Sequence, residues 1–169
     1  MPRLPATALA VLLAALSGCF SLGERLTVDD VSRTYTLTDL SFRPYGSALD
    51  AVNLLERVDA SATDLELFAN EQVSLRYELR GEDDRLRIGG TYSLKGDRVR
   101  LRFDRDARKV LDGLLLPRSI ELTGQDGGAT LVGRIDREEV DVSKFSDDYE
   151  GIEEVDGVLY VRLVERRGR

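Results

Sequence analysis

Between residues 64 and 103 apolar and polar side chains alternate with a period of two, the mark of strands that bury one face. Four apolar rows result: Leu65 and Leu67; Val73, Leu75, Tyr77 and Leu79; Leu86, Ile88, Tyr92 and Leu94; Val99, Leu101 and Phe103. The turns decide whether these rows share a side, because a one-residue slip sends a whole row to the opposite face. Lys95-Gly96-Asp97-Arg98 reads as a two-residue hairpin turn with Gly96 at positive φ, setting Leu94 opposite Val99, Tyr92 opposite Leu101 and Gly90 opposite Phe103. A turn about Glu82-Asp83 pairs Leu79 with Leu86 and Tyr77 with Ile88, and a three-residue loop about Asn70 pairs Leu67 with Val73. All three turns keep the rows together, which predicts an antiparallel meander.

The flanks extend it. Residues 104–112 are expected as a short helix with Asp104 as cap, Ala107, Val110 and Leu111 on one face and Gly113 as stop. Residues 119–123 and 129–136 flank an Asp126-Gly127 turn that places Leu122 opposite Leu131. Residues 158–164 are apolar on both faces apart from Arg162, which suits a strand covered on both sides or one that closes a sheet. Residues 35–42 form a strand whose alternation shifts at Asp39, as at a bulge. Residues 47–58 are expected as a helix, with Ser47 and Asp50 at its start and Leu49, Val52, Leu55 and Val58 recurring along one side. The fold class is therefore mainly β: about eight antiparallel strands with one or two short helices, closed as a small up-and-down barrel or packed as a two-sheet sandwich.

The run Gly90-Thr91-Tyr92-Ser93-Leu94-Lys95-Gly96-Asp97-Arg98-Val99-Arg100-Leu101-Arg102-Phe103 resembles the G-x-Y hairpins of lipocalin-like bacterial lipoproteins. The chain has no Trp, so it lacks the G-x-W signature found near the start of true lipocalins. A barrel of this size either fills its interior or holds one small apolar molecule. Tyr77, Tyr92, Leu75, Ile88, Leu101 and Phe103 would line such a cavity, or would simply be core with the tyrosine hydroxyls reaching the rim.

The first residues carry an address. Arg3, an apolar run over residues 4–16 broken only by Pro5 and Thr7, and the small residues Ser17 and Gly18 read as a secretory signal. As a helix this run would span about 20 Å, short of a hydrocarbon core of about 30 Å. Leu16-Ser17-Gly18-Cys19 resembles the lipobox of bacterial lipoproteins, which implies cleavage before Cys19 and a diacylglycerol on its thiol. Two or three acyl chains on one residue make a stable anchor. The expected division is a signal peptide at 1–18, a lipidated tether at 19–31 and a single β-rich domain at 32–169. Phe20 stands where an acidic residue would resemble an inner-membrane retention signal, so the resemblance implies the cell envelope, at the outer membrane facing the periplasm.

Composition narrows the chemistry. Residues 1–18 carry one Arg, so cleavage leaves 151 residues with 23 basic and 31 acidic side chains, a formal charge of −8. That balance argues against nucleic acid. The chain has no His, and Cys19 is its only Cys, so His-dependent triads, cysteine nucleophiles and the usual zinc sites are excluded. No glycine-rich nucleotide loop occurs. An enzyme would have to work with carboxylates, Lys, Tyr or Ser alone; a carboxylate-dependent cell-wall hydrolase is one such form, and no acid pair stands out for that role. The chain is expected to be non-enzymatic, without cofactor or metal.

Against the net negative charge, one face of the meander is basic. Arg76, Arg80, Arg85, Arg87, Lys95, Arg98, Arg100 and Arg102 point away from the apolar rows, with Glu78 as the acid among them. Such a face is either solvated, discouraging edge association, or a docking surface for phosphate-rich lipid headgroups or an acidic partner. The candidate docking residues are Arg76, Arg80, Arg87, Arg98, Arg100 and Arg102. Residues 137–156 hold nine acids against Arg137 and Lys144 and read as a solvated acidic loop, placed against the basic face. An EF-hand register from Ser146 fits at Asp148, Glu150 and Gly151 but has Ser146 first and Gly157 last, so calcium is not expected. The expected partners are the membrane, through lipid on Cys19, and a small apolar ligand or an acidic envelope component. The competing reading is a structural or assembly accessory that docks through the basic face.

Overall fold

In a computed structural model, which describes residues 25–46, 49–59, 61–80, 85–104, 114–145, 149–152 and 154–167, the hairpin at Gly96 has the predicted register. Leu94 faces Val99, Tyr92 faces Leu101 and Gly90 faces Phe103. Gly96 has φ +63° and Asp97 stays at negative φ, so only the first central residue is left-handed, as a type II′ turn requires. Gly90 lies against the backbone of Arg102 and Phe103, where an added Cβ would lie 2.3 Å from the Arg102 carbonyl oxygen.

The strands are β1 (Thr34–Pro44), β2 (Val52–Asn53), β3 (Asp64–Leu67), β4 (Gln72–Glu78), β5 (Arg85–Lys95), β6 (Arg98–Phe103), β7 (Ser119–Gln125), β8 (Thr130–Asp141) and β9 (Glu154–Glu165). Apart from the short β2, each pairs antiparallel with its neighbour in sequence, and β9 returns to pair with β1. Eight strands thus close into an up-and-down barrel of the lipocalin-like kind, and β2 lies beside the far end of β1 at Ser41 and Phe42. Closure settles barrel against sandwich. It also accounts for β9: Leu159, Val161 and Leu163 point into the core, whereas Tyr160 on the outside lies between Arg43 and Arg134. The expected bulge at Asp39 is present as a register shift between Leu37 and Asp39 against β9, and it lets Leu37 and Leu40 both face inward.

Three expectations need correction. At the β4–β5 connection Tyr77 faces Leu86 and Leu75 faces Ile88, a slip of two residues from the predicted pairing. Leu79 instead bridges to Val58, and the Arg80 and Asp59 amides donate to Arg57 and Glu78 carbonyls, so a neighbouring segment takes the positions that a tight turn would have paired. At the β7–β8 turn Gly124, not Leu122, faces Leu131. The connection spends four residues, three of them at positive φ (Asp126, Gly127 and Gly128), and Leu122 packs over Gly133. Both slips are even, so every apolar row stays inside.

The third correction is the helix expected over residues 47–58. Residues 47 and 48 lie outside the described residues; beyond them Val52 and Asn53 form β2 and Leu54–Arg57 make one 3-10 turn. Asn53 Oδ1 accepts the Leu55 amide at 3.1 Å, a local bond that competes with α-helical propagation. A spacing of three among the apolar residues suits a three-residue turn as well as an α-helix. Of the helix expected over 104–112, residues 105–112 lie outside the described residues; Asp104 donates its amide to the Gly89 carbonyl.

Both ends of the barrel are plugged. At one end Leu26 and Val31 are buried with the core, Val31 from the short helix α1 (Val28–Val31), in a stretch the sequence places in the tether. Asp30 accepts from both the amide and the hydroxyl of Thr27, which holds its carboxyl below the usual range. Tyr35 Oη donates to the Gly128 carbonyl and Tyr92 Oη to that of Phe68, tying the rim together; burial raises the Tyr35 pKa. At the other end Leu54, Leu114, Leu116, Val142 and Tyr149 join the same core, with Tyr149 Oη donating to the Asp50 carbonyl.

Candidate functional site

All six residues proposed to line a cavity are buried: Leu75, Tyr77, Ile88, Tyr92, Leu101 and Phe103. What remains between them and the opposite wall is an apolar cavity of about 30 Å³, bordered by Leu37, Leu65, Leu75, Leu101, Phe103 and Leu122. Such a volume is about one water's share of the liquid, whereas small-molecule pockets run to roughly 300 Å³ and more. Tyr77, Ile88 and Tyr92 are not on its wall. Thr63 Oγ1, which lines this cavity, is buried and has no hydrogen-bond partner among the described residues.

The outer face carries more chemistry, and the barrel divides the candidate arginines into two groups. The first is a stripe along β6. Arg98, Arg100 and Arg102 alternate outward and face Thr123, Glu121 and Ser119 of β7. Glu121 takes Arg98 Nη1 and Arg100 Nη2 at 2.8 Å each, and these bonds, that of Arg100 foremost, hold its carboxyl below the usual range. Asp97 lies 3.7 Å from Arg98. Arg102 is exposed and has no ion-pair partner among the described residues.

The second group surrounds a concavity of about 470 Å³ whose walls include Asp59, Asp64, Arg76, Arg85 and Arg87, with Tyr77 at its floor. Arg76 and Arg87 stand directly opposite each other on β4 and β5. Arg76 grips the largely buried Asp64 with two bonds, Nε to Oδ1 at 2.8 Å and Nη2 to Oδ2 at 3.0 Å. Arg87 Nε donates to Oγ of the buried Ser74 at 2.9 Å. Arg85 pairs with Glu78 at 2.8 Å. Arg80 stands apart, its Nε donating to the Val58 carbonyl. Sequence reasoning missed Glu121, Ser74 and Asp64. Glu121 is separated from β6 by a connection too long to set register, and Asp64 is recognisable only once β3 lies beside β4.

The acidic segment follows another path than the one expected. Its described part runs from the end of β8, through a register shift between Arg137 and Val140 where Glu139 has φ +53°, to a 3-10 turn at Val142–Lys144 and on into β9. Asp141 accepts from Ser143 and pairs with Lys144, and these contacts hold its carboxyl below the usual range. Among the described residues no ion pair joins this segment to the arginines of β4–β6. The segment borders an open groove of about 650 Å³ together with Arg57 and Phe145, whose ring carries the Arg57 guanidinium at 5.0 Å.

Among the described residues no set of three acids stands close enough to hold a metal ion, and no helix is long and apolar enough to cross a membrane. Cys19 and the EF-hand positions Ser146 to Asp148 lie outside the described residues. The chain matches no protein-family model and no curated protein.

Proposed function

We propose that this chain is a membrane-anchored, non-enzymatic lipoprotein of the cell envelope that works by docking an acidic envelope component on the arginine-bearing outside of its barrel. The observation that carries the reading is the stripe on β6: three arginines alternate along the outward face of one strand, Arg98 and Arg100 share the Glu121 carboxylate, and Arg102 has no ion-pair partner among the described residues, in a chain whose net charge is strongly negative. The filled interior favours this reading over carriage of an apolar molecule, since a ligand of ordinary size would first have to displace core side chains. The lipobox-like Leu16-Ser17-Gly18-Cys19 supports the location. Leu26, seven positions after Cys19, is fastened into the barrel, so the chain between them spans at most about 25 Å and keeps the α1 end near the bilayer.

Two measurements test the proposal. Metabolic labelling with a fatty-acid analogue should mark the wild type and not Cys19→Ser; equal labelling would remove the anchor from the reading. Replacing Arg98, Arg100 and Arg102 together by Glu should abolish salt-sensitive retention of envelope components by the chain while leaving its thermal unfolding within a few degrees. Unchanged, salt-insensitive retention would return the stripe to an ordinary solvated surface.

A further inference from the structure

Like charges directly opposite on neighbouring strands are destabilising, yet Arg76 and Arg87 face each other across β4 and β5 at the mouth of a concavity. Each is held there by a buried acceptor: Asp64, facing Arg76 across β3 and β4, takes its Nε and Nη2, and Ser74 takes only Nε of Arg87. Among the described residues the Nη groups of Arg87 have no ion-pair carboxylate, and Arg85, mostly exposed, lines the same concavity from the start of β5. The two described acids that line the concavity are engaged: Asp59 accepts from the amide and hydroxyl of Ser61, and Asp64 is paired with Arg76; Glu78, outside the lining, pairs with Arg85. A second arginine, Arg166, approaches Asp64 from outside at 3.5 Å. The guanidinium groups of Arg76, Arg85 and Arg87 line one concavity and suit an anion with several oxygens. Guanidinium forks match phosphate in two-point contacts, and a concavity concentrates the field of the charges around it.

We propose that this concavity is a binding site for a phosphate monoester group, held chiefly by Arg87 and Arg85 with Arg76 fixed beside them. The inference rests on the same arginine-rich face as the docking reading and gives that face a chemical target, but its residues are separate from the β6 stripe. The group could arrive on a soluble ester or on a lipid headgroup. Both sources present the same oxygens to the arginines.

The test uses the full chain in detergent micelles, titrated calorimetrically with glycerol 3-phosphate, and the same chain floated with vesicles that contain phosphatidic acid or, as a phosphodiester control, phosphatidylglycerol. Arg87→Gln and Arg85→Gln leave the Arg76–Asp64 pair intact, so folding is preserved, and each should weaken binding at least tenfold. Arg87→Lys, which keeps the charge and loses the fork, should fall between. Arg100→Gln, on the stripe, should change it less than twofold. Binding to the soluble ester identifies a free ester as sufficient; binding only to phosphatidic acid vesicles places the group on a lipid. No saturable binding of either by the wild type, or equal binding by the Arg87 and Arg85 variants, overturns the site. Loss with Arg100→Gln but not Arg87→Gln also overturns it and leaves the stripe reading standing.

Discussion

Leu26 lies on Gly124: a Cβ built there would come within 2.4 Å of Leu26 Cδ1. The backbone is stitched at the same place, with the Leu26 amide donating to the Gly96 carbonyl and the Gly124 amide to that of Asp97. The segment before β1 is thus part of the domain. Leu26→Ala is expected to lower stability by about 2–4 kcal/mol, as for other buried leucines. Gly124→Val should do comparable damage by driving Leu26 out. Chemical denaturation measures both, and losses under about 0.5 kcal/mol in both variants would show the segment to be a loose tether after all.

Two glycines of the β5–β6 hairpin should respond differently to substitution. Gly96 has open space around its missing Cβ but sits at φ +63°, so Gly96→Val costs about 1 kcal/mol or more through backbone strain alone. Gly90 has ordinary φ, but an added Cβ would meet the Arg102 oxygen at 2.3 Å and Phe103 Cα at 2.9 Å, both of them backbone. Gly90→Ala is therefore expected to be the worse of the two, by thermal unfolding. The reverse order would mean that the β5–β6 pairing yields easily at Phe103.

The interior can be opened on purpose. Leu101 and Phe103 border the small cavity and are fully buried, so Leu101→Ala should cost about 2–5 kcal/mol and enlarge the void. The wild type should leave the emission of an apolar fluorescent probe unchanged, and the Leu101→Ala, Phe103→Ala double variant should raise it. Saturable uptake of the probe by the folded wild type would restore a carrier function to the barrel.

Acid should destabilise the fold through its surface carboxylates. Asp30, Asp59, Glu121 and Asp141 all titrate below their usual values because of hydrogen bonds from Thr27, Ser61, Arg100 and Ser143 respectively. A depressed carboxylate contributes stability above its unfolded pKa of about 4 and loses it as pH falls through the folded value. With no His in the chain, stability should be nearly flat from pH 8 to 5 and decline below about pH 4. Glu121→Gln should flatten that decline in pH-dependent unfolding. A steep change between pH 5 and 8 would contradict this account.

Alternation and turn chemistry were enough to place the apolar rows on one side, because side-chain direction in a strand is a local property of period two. Gly96, Asp39 and the face occupied by Leu94, Tyr92 and Leu101 were all readable for that reason. Where another segment took the pairing, at Leu79, and where the turn was longer than it looked, at residues 126–129, the pairing moved by two and the face did not, since only an odd slip carries an energetic penalty large enough to show in the pattern. Closure between β1 and β9, the plugging of both ends by Leu26 and Leu114, and the fate of residues 49–58 depended on contacts between distant segments, which no local pattern encodes. The arginines were visible as a basic face. Their division into a stripe gripped by Glu121 and a concavity built on Asp64 and Ser74 was decided by strand neighbours far apart in sequence, because a charge acquires its partner from the register of the next strand and not from its own.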